Sequence, residues 1–130
     1  MDPIFDDNQP IYVQIKRQIY ADILRGLYPT GGKLPATIEM AMQFKVNHNT
    51  IQRVYLELIR EGIVVSRRGE GTFVTEDKAI LVALQDKLRS YVLDTFVNEM
   101  LRLGYREDEL AQMVEQYLES RLQGNQTENE

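Results

Sequence analysis

Residues 46–74 constrain the fold of this chain more than any other stretch. A polar opening, Val46-Asn47-His48-Asn49-Thr50, precedes a segment in which Ile51, Val54, Tyr55, Leu58 and Ile59 recur at i, i+3, i+4, i+7 and i+8. That spacing puts a single apolar stripe on a helix, with Asn47 suited to cap its start and Gly62 just past its end. A short hairpin is expected next. Ile63-Val64-Val65 reads as one strand, Arg67 to Gly71 as a basic, glycine-bearing turn, and Thr72-Phe73-Val74 as the return. The helix leaves Asn49, Gln52, Arg53 and Arg60 on its other face. Such side chains can hydrogen-bond base edges or neutralise phosphates, which suits an exposed helix lying in a DNA major groove.

Upstream, Tyr12, Ile15, Ile19 and Ile23 line one face of a helix expected from Pro10 to Leu27, followed by a turn over Tyr28-Pro29-Thr30-Gly31-Gly32. A short helix from Pro35 to Phe44, with Ile38, Met40, Ala41 and Phe44 as its apolar positions, leads into the polar opening. The order helix, short helix, recognition-type helix, hairpin is that of a winged helix-turn-helix over residues 1–75, a mainly α fold with a small β-hairpin (α+β). Beyond it the period is again helical. One helix is expected from Lys78 to Leu103, stopped by Gly104, and a second from Arg106 to Leu122, opened by Glu107, Asp108 and Glu109 where they favour its dipole. Two amphipathic helices cannot cover both of their apolar faces, so residues 76–122 read as a dimerisation appendage, an identical chain being the commonest partner. Its interface candidates are Leu81, Leu84, Leu88, Tyr91, Val92, Phe96, Leu110, Met113, Val114 and Tyr117. Residues 123–130 are polar and apolar-poor, a composition expected to be disordered.

The formal net charge of −5 stands against a nucleic-acid partner until it is divided along the chain. Residues 1–27 carry −1, residues 28–75 carry +2 and residues 76–130 carry −6, so the acid lies away from the segment expected to face DNA. There is no cysteine, which excludes disulfides and thiolate metal sites, and the lone histidine, His48, makes a metal site or a catalytic set implausible. No cofactor and no metal are expected. No apolar run approaches the ~20 residues needed to span a bilayer. The start, with Asp2, Asp6 and Asp7, lacks the basic opening of a signal peptide, so a cytoplasmic location away from membranes is the default.

Four linked motifs resemble the GntR family of bacterial transcription regulators: Pro10-Ile11-Tyr12-x-Gln14-Ile15, Gly32-x-Leu34-Pro35, Val46-Asn47-x-Asn49-Thr50-Ile51 and Gly69-x-Gly71-Thr72-Phe73-Val74. They span residues 10–74 in order and spacing. Tyr12, the Asn-x-Asn-Thr opening and the short two-helix tail are similar to the YtrA-type subfamily in particular. The resemblance implies a homodimeric repressor, of a group that often controls operons for ABC transporters; a two-fold dimer would place its recognition helices in successive major grooves of double-stranded DNA, so the operator is expected to be an inverted repeat. It also implies that Gln52 reads bases. Where the family commonly has Ser-x-Arg after Leu-Pro, this chain has Ala36 and Ile38, which removes half of a capping box and an arginine that contacts DNA.

The expected DNA-binding set is Lys33, Asn47, His48, Asn49, Thr50, Gln52, Arg53, Arg67, Arg68, Gly69 and Gly71. Lys33, Arg53, Arg67 and Arg68 would hold phosphates, Asn49, Thr50 and Gln52 would discriminate, and the glycines would let the backbone approach DNA closely. A structural role competes at several of these positions: Asn47 as a cap, the arginines of the turn as edge charges, His48 as a solvated residue of the first turn. Tyr12, Tyr55 and Phe73 read as core. An unidentified small-molecule effector between protomers is left open. The alternative reading is a winged-helix protein-interaction module with little DNA affinity, for which the acidic total, Ile38 and Glu70 speak.

Overall fold

The structure, a computed structural model, describes residues 8–128, with the side chains of residues 8–125. Asp2, Asp6, Asp7 and the last two residues of the expected tail lie outside the described residues. Five helices and one hairpin follow in the order α1 (Ile11–Leu24), α2 (Thr37–Phe44), α3 (His48–Arg60), β1 (Val64–Arg67), β2 (Gly71–Val74), α4 (Lys78–Arg102) and α5 (Glu107–Glu128). The chain divides into two compact units, one ending at Gln85 and the other beginning at Asp86.

In the first unit the core is built where the apolar periods meet. Ile15, Ile19 and Ile23 of α1, Met40 and Ala41 of α2, and Ile51, Val54, Tyr55 and Leu58 of α3 are buried together with Leu34, Ile63, Val64 and Val74. α3 packs against α1, α2 and β1 and so stands at the centre. Leu84 of α4 is also buried, and the unit therefore extends past the expected boundary at residue 75 into the first turns of α4. Asp77 prepares that helix, its carboxylate accepting from the Ala79 amide at 3.0 Å.

Four helices stop in the same way. At the ends of α1, α2, α3 and α4 paired backbone bonds close back over the last turn, for instance Val46 N to Ala41 O at 3.0 Å with Lys45 N to Met42 O at 3.3 Å. These are Schellman motifs, each needing one residue of positive φ, here Gly26, Lys45, Gly62 and Gly104. This explains why α1 ends at Leu24, short of the expected Leu27: Leu27 N already bonds Asp22 O at 2.9 Å. Lys45 holds the left-handed conformation without being glycine, at φ 57°, and makes the tight turn between α2 and α3.

The hairpin is antiparallel, with Val64 opposite Val74 and Arg67 opposite Gly71, so Arg67 belongs to the strand and not, as expected, to the turn. A third extended segment lies on the free edge of β2. Leu34 N donates to Thr72 O and Val74 N to Gly32 O, both at 2.8 Å, and Gly31 N to Val74 O at 3.1 Å. This pairing places Lys33 beside the wing.

The second unit consists of the rest of α4, the Gly104 turn and α5. Leu110 is buried, while Val92, Leu93, Leu101, Leu103, Tyr117, Leu118 and Leu122 are exposed. α5 continues to Glu128, which corrects the expected disordered tail for residues 123–128. The physical reason is that helix propagation adds a backbone bond per residue once a helix exists, and residues 123–128 contain no proline to stop it, Gly124 being a weak helix former that slows propagation without breaking it.

A polar seam ties α1 to the end of α3. The Tyr20 hydroxyl donates to Glu61 Oε2, and Lys16 Nζ pairs with Glu61 and, at 3.4 Å, with Glu57. Burial first, then the hydrogen bond and charge of Glu61, raise the Tyr20 pKa far above its ordinary value of 10.0. The folded state thus holds this proton where the unfolded chain releases it, so the contribution is intact below about pH 10 and is lost as pH rises further. In urea denaturation at alkaline pH the wild-type protein is expected to lose up to ~1.4 kcal/mol per pH unit through this group. The variant Tyr20→Phe should show a correspondingly shallower fall; equal slopes would contradict it.

Candidate nucleic-acid interface

α3 begins as its sequence demands. The Asn47 carboxamide oxygen accepts from the Asn49 amide at 2.8 Å, satisfying one of the free donors of the first turn. The stripe from Ile51 to Leu58 is buried, which turns Asn49, Gln52 and Arg53 outward into solvent, with Thr50 partly covered. These four side chains therefore share one accessible surface, as expected. Asn47 is both cap and member of that surface, and its amide group remains exposed.

His48 corrects the expectation of a solvated first-turn residue. Its Nε2 lies 2.7 Å from Thr37 Oγ1, a hydrogen bond joining the first turn of α3 to that of α2. Thr37 is thereby engaged and does not cap α2, whose start at Ala36 has no side-chain cap. Beside it Ile38 and Met42, one turn apart on α2, are 62% and 73% exposed.

Two aromatic residues expected in the core prove to be platforms for arginine. The Arg53 guanidinium carbon lies 3.6 Å from the centroid of the Tyr12 ring, and that of Arg67 lies 4.5 Å from the centroid of Phe73. Both rings are only partly buried. Arg67 and Phe73 reach each other as diagonal neighbours across the hairpin, two residues off register. Tyr12 and Arg53 meet because α1 packs on α3, a pairing that no local period announces. Tyr55, by contrast, is core as expected, its hydroxyl donating to Pro35 O at 2.6 Å, and burial raises its pKa.

At the wing tip the Arg67–Glu70 turn is closed by Glu70 N donating to Arg67 O at 2.9 Å, and Gly69 has φ +77°, the sign a type II turn requires at its third residue. Arg68, Gly69 and Glu70 are exposed there. Gly71 has φ +125°, and a Cβ added to it would stand 2.7 Å from Lys33 Cε. The lysine therefore crosses the wing directly over the missing side chain. Sequence reasoning named both residues without this contact, since the extended segment bearing Lys33 is defined by backbone bonds and not by apolar alternation.

Lys33, Arg53, Arg67 and Arg68 thus all belong to the first unit and are exposed, and Gln52 and Asn49 supply hydrogen-bonding groups on α3. Such a mixture can bind a polyanion and can distinguish base edges. Among the described residues no group of three or more acidic or histidine side chains converges as a metal site, and no helix is long and apolar enough to cross a membrane. In the second unit Phe96, Met100, Met113, Val114 and Tyr117 line an apolar groove of about 340 Å³. Leu84 and Leu110, expected at a dimer interface, are 8% and 6% exposed within the single chain and have little surface left for a partner. Leu81, Leu88, Tyr91, Phe96, Met113 and Val114 are partly covered, and Val92 and Tyr117 are exposed.

Residues 11–74 match the family of bacterial regulatory proteins, gntR family. Over 119 residues the chain is 45% identical to an uncharacterised HTH-type transcriptional regulator, YhcF, of Bacillus subtilis strain 168, covering 92% of this chain and 98% of that protein. It is 37% identical over 91 residues to the HTH-type transcriptional repressor YtrA of the same organism, covering 65% and 70% of the two chains. A solved GntR family transcriptional regulator from Listeria monocytogenes superposes with a TM-score of 0.78 at 37% identity, covering 86% of this chain and 98% of that one.

The cap can be separated from the contact surface by experiment. Asn47→Ala is expected to cost about 1 kcal/mol in chemical denaturation, whereas Asn47→Ser or Asn47→Asp should retain most of that stability. A stability loss shared equally by all three variants would contradict a capping role.

Proposed function

This chain belongs to the GntR family of bacterial regulatory proteins, with YtrA among its relatives, and from that premise we propose that it is a homodimeric repressor of the YtrA type, bound to an inverted-repeat operator. It is a DNA-binding transcriptional regulator and not an enzyme. The observation that carries the finer reading is the exposed polar face of α3. Asn49, Gln52 and Arg53 face outward, Arg67 and Arg68 are exposed on the hairpin of the same unit, and the net acid of the chain lies beyond residue 75.

In the proposed complex each α3 enters a major groove, and two copies related by a two-fold axis read half-sites roughly 34 Å apart. Asn49, Thr50 and Gln52 meet base edges, Gln52 through a bidentate pair with adenine. Lys33, Arg53, Arg67 and Arg68, with the backbone at Gly69 and Gly71, hold phosphates and set orientation. The exposed apolar residues of the second unit, including Val92, Tyr117, Leu118 and Leu122, support self-association there, because apolar surface left in water is costly. Linking two small reading heads raises their joint affinity far above that of one. Cytoplasmic repression of an ABC-transporter operon, as in the YtrA-type group, and control by a small effector bound between protomers complete the proposal.

Fluorescence anisotropy on DNA from immediately upstream of the protein's own gene tests it, across a salt series. Gln52→Ala should blur sequence preference by about 1–3 kcal/mol at one base pair of each half-site, while Arg53→Ala should weaken all sequences alike and reduce the salt slope by about one. Weak, sequence-blind binding by the wild-type protein to this and to genome-selected fragments would overturn it. That result would favour a protein-interaction surface instead, for which the exposed pair Ile38 and Met42 is the supporting observation.

Self-association has its own test. Phe96→Asp or Leu88→Asp should shift the protein from dimer to monomer in sedimentation velocity and reduce operator affinity at least about tenfold, though neither residue is placed at DNA. A monomeric wild-type protein with full affinity would refute the dimer.

A further inference from the structure

Arg53 is held between an aromatic face and a carboxylate, and only one of these competes with DNA. Its guanidinium stacks on the Tyr12 ring at 3.6 Å, while its Nε lies 4.0 Å from Glu57 Oε1, at the limit of an ion pair. The Arg53 side chain is 59% exposed and that of Glu57 26%. Glu57 is itself engaged from the other side, its Oε2 lying 3.4 Å from Lys16 Nζ. We propose that Tyr12 is a positioning residue for DNA binding: it holds the Arg53 guanidinium in place through its π face, and Lys16 restrains the Glu57 carboxylate that would otherwise claim it.

The chemistry favours this division of labour. A guanidinium carries five N–H donors in its plane and none on its faces, so stacking on a ring leaves the donors free to fork onto phosphate oxygens. A close carboxylate would consume the same donors, and a phosphate would have to displace it. The long Arg53–Glu57 distance, with Glu57 also paired to a Lys16 that it shares with Glu61, keeps that competition weak. Fixing the side chain in advance also reduces the conformational entropy lost when DNA binds. α1 thereby acts in DNA binding through Tyr12 and Lys16, although neither is assigned a DNA contact.

This inference rests on the reading of Arg53 as a phosphate contact, and a mixed-sequence duplex of about 30 base pairs separates the two. Affinity would be measured by fluorescence anisotropy for the full-length wild-type protein, Tyr12→Leu, Tyr12→Phe, Glu57→Gln, Arg53→Ala and the doubles Tyr12→Leu/Arg53→Ala and Glu57→Gln/Arg53→Ala. Tyr12→Leu should weaken binding roughly three- to tenfold while Tyr12→Phe, which keeps the ring, should match the wild type. Glu57→Gln should strengthen binding about two- to fivefold. In the Arg53→Ala background both effects should vanish, since each acts through the guanidinium. Thermal melts confirm that each variant is folded at the assay temperature. An undiminished Tyr12→Leu loss in the Arg53→Ala background, or a Tyr12→Phe loss as large as that of Tyr12→Leu, overturns the positioning role and leaves the phosphate contact standing. An Arg53→Ala protein that binds as well as the wild type, or a wild-type protein that binds no duplex, overturns both.

Discussion

Burial of one side of α3 governs the rest of this molecule. Ile51, Val54 and Leu58 are wholly enclosed and Tyr55 nearly so, packed among α1, α2 and β1. Each such side chain contributes roughly 1.5–3 kcal/mol relative to exposure, so rotating the helix about its axis by even one position would forfeit several of these contributions together. The rotation of α3 is therefore fixed by the core, and with it the identity of the residues that face outward. Asn49, Gln52 and Arg53 need no separate device to present them to a partner. The outward surface of α3 is the complement of its packing surface.

Apolar contact fixes rotation better than it fixes position along an axis, because close-packed aliphatic side chains have no directional bonds. Polar contacts with definite geometry supply the second constraint. The Tyr55 hydroxyl bonds the Pro35 carbonyl, His48 bonds Thr37, and the seam of Tyr20, Lys16, Glu57 and Glu61 fastens α1 to the end of α3. Exposed pairs of this sort contribute little on their own, but these are partly or largely enclosed and join different elements. Replacing His48, on this view, would loosen the approach of α2 to α3.

What was legible in the sequence follows from the range over which each interaction is encoded. The stripe on α3, the cap at Asn47 and the glycine ends of α3 and α4 are local, and their residues could be named from spacing alone. The short hairpin was recognisable too, with its strand ends displaced by a residue or two. The extended segment of residues 31–34 was not legible, because backbone bonds to β2 require no alternating side chains. Nor were the roles of Tyr12 and Phe73. An aromatic residue in an apolar period has the same signature whether it closes a core or supports a guanidinium, and Tyr12 meets Arg53 only after α1 has folded onto α3. The length of α5 was hidden for the opposite reason: polarity argued for disorder, whereas an established helix can propagate through polar residues, each adding a backbone bond.

The two arginine platforms bear on how an acidic chain can present a surface for DNA. Overall the charge is −5, and long-range attraction toward a polyanion is correspondingly limited. In the proposed complex, affinity would come from a few cations near enough to phosphate for the local field to dominate over the distant acid, which salt screens beyond about 10 Å. Stacking serves that need at both places where it occurs. Arg53 on α3 rests on a ring supplied by α1, and Arg67 on β1 rests on a ring supplied by β2, so each guanidinium is oriented without surrendering its donors. Lys33 is steered by different means, across the Cβ-less surface of Gly71, where a compact ammonium requires a direction and not a plane. The helix and the wing thus arrive at the same solution from unrelated elements: the neighbouring fold, and not the net charge, determines where the positive groups stand.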